Sequence, residues 1–186
     1  EGEIRWMDEI HKDTQVRLPV VYRGRDGGFL QKMRTSGGET VYCSVISFLY
    51  GSPLGELKGE ALLDGLEKLG EITARLHIQS INRDKSVKIK RFCWDINNLF
   101  GDNGDGIWGS WLDYEGITGH DYRILEKCTE DIKKELNHYG RSNDRYGLIH
   151  ADLHFYNVIS YEGNDQIIDF DDCGYGFYMY DMGCAL

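Results

Sequence analysis

The chain has 186 residues, of which 41% are apolar and 28% charged, a mixture typical of a globular protein that can bury a core without disulfides. Its 31 acidic and 21 basic residues give a formal net charge of −10, which argues against nucleic acid as the main partner because phosphate-backbone binding needs a basic face. Five cysteines without a CxxC pair argue against a disulfide scaffold and against a zinc ribbon. The longest mostly apolar run has ten residues, which is too short to span a membrane. We expect an acidic cytoplasmic protein.

The first fifty residues are predicted to hold one helix followed by strands. Apolar residues recur at helical spacing over residues 2–12, and no capping residue precedes this helix. Two strand-like runs, Val20–Arg23 and Phe29–Arg34, flank the turn signal Arg25–Gly28 and are predicted to pair as a hairpin. A second turn leads into the β-rich stretch Glu39–Leu49.

The pattern becomes helical after Gly51–Gly55, which is predicted to link two lobes, residues 1–50 and 51–186. Helices are predicted over Glu56–Ser80 and Gly119–Tyr139. The basic run Asn82–Phe92 between them indicates a solvated loop or an anion-steering patch. The run Asp102–Gly106 resembles a calcium loop but lacks the closing glutamate, so we expect no EF-hand.

Negative charge is concentrated in the last 41 residues, Tyr146–Leu186, which contain no lysine or arginine. Acids flanked by apolar residues are costly to bury without a partner. A metal cation would be one such partner, and basic side chains from elsewhere in the fold would be the other. The acids of this segment are Asp152, Glu162, Asp165, Asp169, Asp171, Asp172 and Asp181.

One motif in this segment favours the metal. Residues 150–157 have the form H-x-D-x-x-x-x-N, and Asp169 follows Asn157 by twelve residues after a strand-like run. Phosphoryl transfer to an alcohol needs a carboxylate that accepts the hydroxyl proton, and Mg²⁺ to neutralise charge on the phosphates. An aspartate for the first task, and an asparagine with a second aspartate for the metal, form a minimal set.

These motifs carry a resemblance to a known family. The sequence from Tyr146 to Asp181 resembles the aminoglycoside phosphotransferase and choline kinase superfamily, and is most similar to the bacterial phosphotransferase enzyme family that includes type II homoserine kinase-like proteins. The resemblance implies an α+β, protein-kinase-like fold of two lobes. The N-lobe would contribute a partial antiparallel sheet, and the mostly helical C-lobe would carry the catalytic loop and a metal-binding hairpin.

The resemblance also implies roles for the residues of the motif. Asp152 matches the catalytic base, and Asn157 and Asp169 match the ligands of Mg²⁺. His150 would brace the catalytic loop, which is close to its alternative role as a core histidine. The nucleotide would be ATP, and the acceptor would be a small-molecule alcohol: an amino alcohol, or a homoserine-like, choline-like or aminoglycoside compound.

Further positions match less specific features of the family. Glu3 lies where a helix glutamate pairs with a phosphate-binding lysine, although a solvated surface acid is an equal alternative. Ser47, Phe48 and Leu49 would form the hinge whose backbone binds adenine. The resemblance places the following four residues near the site, as supporting, packing or substrate-facing groups: His77, His154, Asp171 and Asp181.

The chain also departs from the family. The glycine-rich phosphate loop and strand lysine that precede the Glu3 helix are not found, and the helices beyond Asp181 that form the acceptor pocket are mostly missing. We therefore expect a fragment truncated at both ends, with weak or absent phosphotransfer on its own. Three functions stay open: a small-molecule kinase, a protein Ser/Thr kinase-like stress enzyme, and a non-catalytic nucleotide- or metal-binding module.

Overall fold

The computed structural model describes residues 1–101 and 105–185, so part of the run Asp102–Gly106 lies outside the described residues. The helices of the described ranges are α1 (Gly2–Asp13), α2 (Glu60–Asn82), α3 (Ile96–Phe100), α4 (Gly119–Tyr139) and α5 (Tyr178–Ala185). The strands are β1 (Val21–Tyr22), β2 (Gln31–Arg34), β3 (Thr40–Cys43), β4 (Val45–Ile46), β5 (Ser52–Pro53), β6 (Cys93–Trp94), β7 (Asp105–Gly106), β8 (Gly109–Ser110), β9 (Tyr146–Ile149), β10 (Val158–Tyr161), β11 (Asn164–Ile167) and β12 (Gly174–Phe177). Helices combined with small, mainly antiparallel sheets confirm the predicted α+β class.

The predicted N-terminal helix is confirmed as α1, which packs on α2. The indole Nε1 of the fully buried Trp6 donates to Gln79 Oε1 at 2.9 Å. The Arg83 side chain, only 3% exposed, pairs with Glu9 at 2.7 Å. These contacts tie the two helices together around their apolar faces. The buried apolar residues of α1 are Ile4, Trp6, Met7 and Ile10.

The predicted hairpin between Val20–Arg23 and Phe29–Arg34 is wrong. β1 pairs antiparallel with β4, and β2 pairs with β3. The turn between β1 and β2 does form, with Gly27 in the left-handed region at φ 78° and the Gly28 N–H donating to the Asp26 carboxylate at 2.9 Å. A turn signal specifies a local reversal of the chain, whereas the partner of each strand is a long-range choice.

The segment Gly51–Gly55, predicted to link two lobes, takes part in a sheet. β5 lies within it and pairs with β10, and Leu54 is buried. Gly51 adopts φ 134°, and a Cβ there would lie 2.3 Å from the Ser160 carbonyl oxygen, so glycine is required by both conformation and space. The division into lobes at residues 50 and 51 remains a prediction.

The two long predicted helices are confirmed as α2 and α4. α2 begins four residues later than predicted, because Leu54–Glu56 forms a 3-10 turn instead. α4 opens with a capping box formed by Thr118 and Asp121. The basic run between the helices is not only solvated, since Arg83 and Arg91 both bond to other parts of the fold.

Two sheets position the residues of the motif. One has the strand order β6-β12-β9, and the other has the order β11-β10-β5. The buried strand β9 leads directly into the motif, while the β10–β11 hairpin joins Asn157 to Asp169. A continuous apolar core beneath them includes Trp6, Leu76, Leu148, Leu153, Val158, Ile167 and Phe170. Within the two described ranges, none of the helices is long and apolar enough to cross a membrane.

Candidate active site

Asp181 holds the start of the loop that follows β9. Its fully buried carboxylate accepts hydrogen bonds from the backbone N–H of Ala151 at 2.7 Å and of His150 at 3.3 Å. Ala151 has φ 68°, a strained conformation for an alanine that surrounding contacts must maintain. His77 Nε2 lies 2.8 Å from the same carboxylate. The structure therefore places Asp181 and His77 under the loop rather than on a substrate-facing surface.

His150 joins the loop to the segment that carries Asp169. The ring is fully buried and packs against Phe170 at 4.6 Å between centroids. Its Nε2 lies 3.0 Å from the Ile168 carbonyl oxygen, and because a carbonyl can only accept, the proton is on Nε2. Burial lowers the pKa of His150, so the ring stays neutral near physiological pH. The ring thus links the loop to the residue before Asp169, and its bracing role stays a prediction.

Asp152 and Asn157 are in direct contact. The Asn157 amide donates to the Asp152 carbonyl oxygen at 2.8 Å and to its Oδ2 at 2.9 Å. The Asp152 side chain is 40% exposed and is therefore accessible from solvent. His154 Nε2 lies 3.5 Å from the same carboxylate, while its Nδ1 accepts from the Tyr156 backbone. Since the amide nitrogen of Asn157 serves Asp152, its oxygen is the atom that can bind a cation.

The β10–β11 hairpin brings Asp169 back to Asn157. Val158 pairs with Ile167, and the Ile168 N–H donates to the Asn157 carbonyl oxygen at 3.0 Å. Asp169 itself has φ 67°, a conformation that only a few per cent of non-glycine residues adopt. The two side chains separated by twelve residues in the sequence thus lie at the same end of one hairpin.

The carboxylates at this end of the hairpin fit a divalent cation. A side-chain hydrogen bond with Asp171 raises the pKa of Asp169 to about 6, with burial and the charges of Asp171, Asp152 and Asp172 acting in the same direction. Neighbouring carboxylates repel each other, and a proton shared between two of them reduces this repulsion. A divalent cation would reduce it further. In the part of the chain that the structure describes, no three His, Cys, Asp or Glu side chains form a ready metal cluster. One side-chain oxygen each from Asn157 and Asp169 would be enough, because Mg²⁺ usually binds few protein ligands.

The predicted nucleotide-binding residues share a cleft with Asp169. The cleft has a volume of about 660 Å³, and its walls include Glu3 together with Ser47, Phe48 and Leu49. Ser47 is already paired, because its N–H donates to the Val20 carbonyl oxygen and its hydroxyl accepts from the Val20 N–H, both at 2.9 Å. The backbones of Phe48 and Leu49 lie on the wall of the same cleft. The apolar residues of the walls include Ile4, Met7, Ile46, Ile159, Ile168 and Phe170.

An aromatic stack beside the acids was not predicted. Trp94 stacks on Tyr180 at 5.4 Å and on Trp108 at 6.0 Å between ring centroids. Trp94 and Ala151 belong to one buried cluster against which Tyr180 packs, which places the stack close to the motif. Burial raises the pKa of Tyr180. The clustering of tryptophans over residues 94–111 was the available sequence signal, but spacing alone does not show which rings meet.

Comparisons with known proteins identify the family of the chain. The Phosphotransferase enzyme family matches residues 1–186. Amicoumacin kinase of Bacillus subtilis (strain 168) is 39% identical over 57 residues, which are 31% of this chain and 17% of that protein.

Solved structures show the same fold. The microcompartment-associated aminopropanol kinase has a TM-score of 0.83 and 33% identity, covering 99% of this chain and 56% of its own. Amicoumacin kinase in complex with AMP-PNP, Ca²⁺ and Ami has a TM-score of 0.71 and 23% identity, covering 99% of this chain and 51% of its own. The chain thus spans about half the length of these structures. Their likeness confirms the predicted protein-kinase-like fold.

Proposed function

The chain belongs to the phosphotransferase enzyme family, and from this premise we propose that it carries the nucleotide and metal sites of an ATP- and Mg²⁺-dependent kinase of small-molecule alcohols. The observation that supports this most is the cleft shared by Phe48, Leu49 and Asp169. Its wall residue Ile168 donates its N–H to the Asn157 carbonyl oxygen, and the Asn157 amide in turn binds Asp152. A base, a metal site and a nucleotide-sized cavity meet at one place. The lobes would be residues 1–50 and 51–186.

Each residue then has a chemical task. Asp152, which is accessible and held by Asn157, orients the acceptor hydroxyl and takes its proton. Asn157 and Asp169 hold Mg²⁺, which when bound neutralises charge on the transferred phosphoryl group. The backbone of Phe48 and Leu49 binds the base of the nucleotide. His150 and Asp181 keep the loop in the conformation that this arrangement needs.

The surroundings of Asp152 favour an acceptor that carries an amine. Trp94 and Tyr180 pack in one cluster with Ala151, the residue before the base, and Trp94 also stacks on Trp108. The Trp94 indole binds the Asp172 carbonyl oxygen, and a carboxylate next to an aromatic face attracts an ammonium group. Because the aminopropanol kinase that shares this fold is 33% identical, an amino alcohol is the first acceptor to test.

The segment after Asp169 argues against a protein substrate. β12 begins five residues later, and α5 follows at Tyr178. Such a short connection leaves no room for a long loop that could bind a peptide, so the small-molecule reaction is preferred. A non-catalytic binding module is also less favoured, because a module that only binds nucleotide has no need of Asp152.

A titration with Mn²⁺ tests the metal and nucleotide sites directly. Mn²⁺ replaces Mg²⁺ and is observed by its spin resonance, with and without ADP. We expect binding that strengthens with ADP and is lost in Asp169→Asn. Glu162→Gln removes one charge from the exposed turn of the same hairpin and is the matched control, with an affinity within about twofold of the unmodified chain. Binding that Asp169→Asn leaves intact would contradict the assignment.

A further inference from the structure

Three consecutive backbone carbonyls beyond Asp169 accept hydrogen bonds from two side chains of β6 and the residues before it. The Arg91 guanidinium donates through Nη2 to the Asp171 carbonyl oxygen and through Nε to that of Cys173. The Trp94 indole donates to the Asp172 carbonyl oxygen between them at 2.7 Å. We call residues 171–173 the carbonyl segment. Its backbone is held by donors about eighty residues earlier in the chain.

The two donors are themselves fixed in place. Trp94 is buried and stacks on Tyr180, while the Arg91 guanidinium lies over the Phe92 ring at 4.6 Å. β6 pairs in parallel with β12, and the Tyr175 N–H donates to the Phe92 carbonyl oxygen at 3.0 Å. A planar guanidinium presents its donors in a rigid fork, which a lysine ammonium cannot reproduce. The carbonyl segment is therefore bound to a rigid part of the sheet.

The carbonyl segment is coupled to the proposed metal ligand. Asp171, whose carbonyl oxygen Arg91 binds, lies two residues after Asp169, in the turn that directly follows it. Asp169 adopts a left-handed conformation at φ 67°, which a non-glycine residue keeps only where neighbouring contacts hold it. The Cys173 N–H closes the turn by donating to the Phe170 carbonyl oxygen at 3.0 Å. Loosening of this turn would release the carbonyl group of Phe170, the residue directly after Asp169.

We propose that Arg91 and Trp94 are positioning residues that hold the carbonyl segment and thereby keep Asp169 oriented for a divalent cation. The inference rests on the proposed function for the identity of the ligand. It assigns a structural task to Arg91, which the basic composition of residues 82–92 would otherwise place in a solvated or anion-steering loop. Mutation of groups that hydrogen-bond to metal ligands and orient them commonly lowers metal affinity about 10- to 100-fold.

Three variants separate hydrogen bonding from charge. Arg91→Gln removes the fork and the charge, Arg91→Lys keeps the charge alone, and Trp94→Phe keeps an aromatic ring without its donor. Lys90→Gln is the matched control, because it removes one positive charge from an exposed neighbour of Arg91. Two readouts are made on the whole chain: amide hydrogen exchange of residues 169–174 without metal, and the Mn²⁺ affinity in the presence of ADP by spin resonance.

We expect Arg91→Gln to speed exchange in residues 169–174 and to weaken Mn²⁺ binding about tenfold. Arg91→Lys and Trp94→Phe should each weaken it roughly threefold, and Lys90→Gln less than twofold. If Arg91→Gln and Lys90→Gln changed the Mn²⁺ affinity equally, Arg91 would act only through its charge, and the inference would be overturned. Faster exchange with unchanged Mn²⁺ affinity would also overturn it, because the contacts would then serve stability alone.

The same experiment separates this inference from the proposed function. An unmodified chain that binds no Mn²⁺ with ADP refutes the metal assignment, and the inference falls with it. An unmodified chain that binds Mn²⁺, combined with an Arg91→Gln variant that binds it equally well, refutes the inference and leaves the proposed function standing.

Discussion

Asp181→Asn should destabilise the protein strongly, although it changes a single atom. The buried carboxylate accepts from two backbone N–H groups and faces the Nε2 of His77. An asparagine keeps one oxygen, which can still accept from the Ala151 N–H. Its amide NH2 group replaces the second oxygen, which had accepted from the His150 N–H. The buried His150 N–H therefore loses its acceptor and faces another donor, the amide NH2.

The size of the effect follows from these contacts. A hydrogen bond to a charged group contributes about 1.5–3 kcal/mol, and a buried donor left without a partner costs about 1–3 kcal/mol. Because one of the two backbone bonds survives, we expect the free energy of unfolding to fall by about 2–4 kcal/mol. Ala151 should also be freer to leave its strained conformation at φ 68°.

Equilibrium unfolding in urea measures this change. The matched control is Asp131→Asn on the exposed surface of α4, which should alter the free energy of unfolding by less than about 0.5 kcal/mol. A double-mutant cycle with His77→Gln should show coupling between the two side chains, since both lie on one hydrogen-bonded path. A loss below about 1 kcal/mol for Asp181→Asn would refute the reasoning, because the backbone donors would then have found other partners.

Two further predictions concern stability. Gly147→Ala should lower the free energy of unfolding by about 1–3 kcal/mol in the same urea assay. The reason is that its Cβ would lie 2.2 Å from the Tyr178 hydroxyl oxygen and 2.5 Å from that of Ser80. An unchanged urea midpoint would contradict this prediction, because these groups would then move aside at no cost. Burial lowers the pKa of His150, so the unfolded chain binds the proton first and stability should be lost as the pH falls below about 6.5; His150→Asn should flatten this part of the pH profile, and an equal slope in both proteins would contradict the prediction.

Some parts of the molecule are predictable because the interacting residues are close in sequence. His150, Asp152 and Asn157 lie on one loop, and Asp169 returns through the next hairpin, so spacing alone brought them into one prediction. The helices α2 and α4 were found by periodicity. In each case the information is local.

Other features depend on contacts that leave no local trace. β1 pairs with β4 rather than with its neighbour β2, although the turn between them is correctly placed. Arg91 binds backbone carbonyls, which every residue possesses, so its partners have no signature in the sequence. Asp181 could be recognised as part of a motif, but its task depends on the N–H groups that folding brings to it.

The attachment of α1 to α2 has a consequence for how a ligand enters the cleft. Gln79 bonds both Trp6 and Asp13, and Arg83 bonds Glu9, so α1 and α2 form one rigid block. Glu3 lies on α1 and lines the cleft, so its position follows that of this block. Most of residues 44–51 line the same cleft, and the strand among them, β4, has only two residues. We therefore expect the cleft to widen mainly by displacement of residues 44–51, whose amide hydrogen exchange should be faster than that of α1.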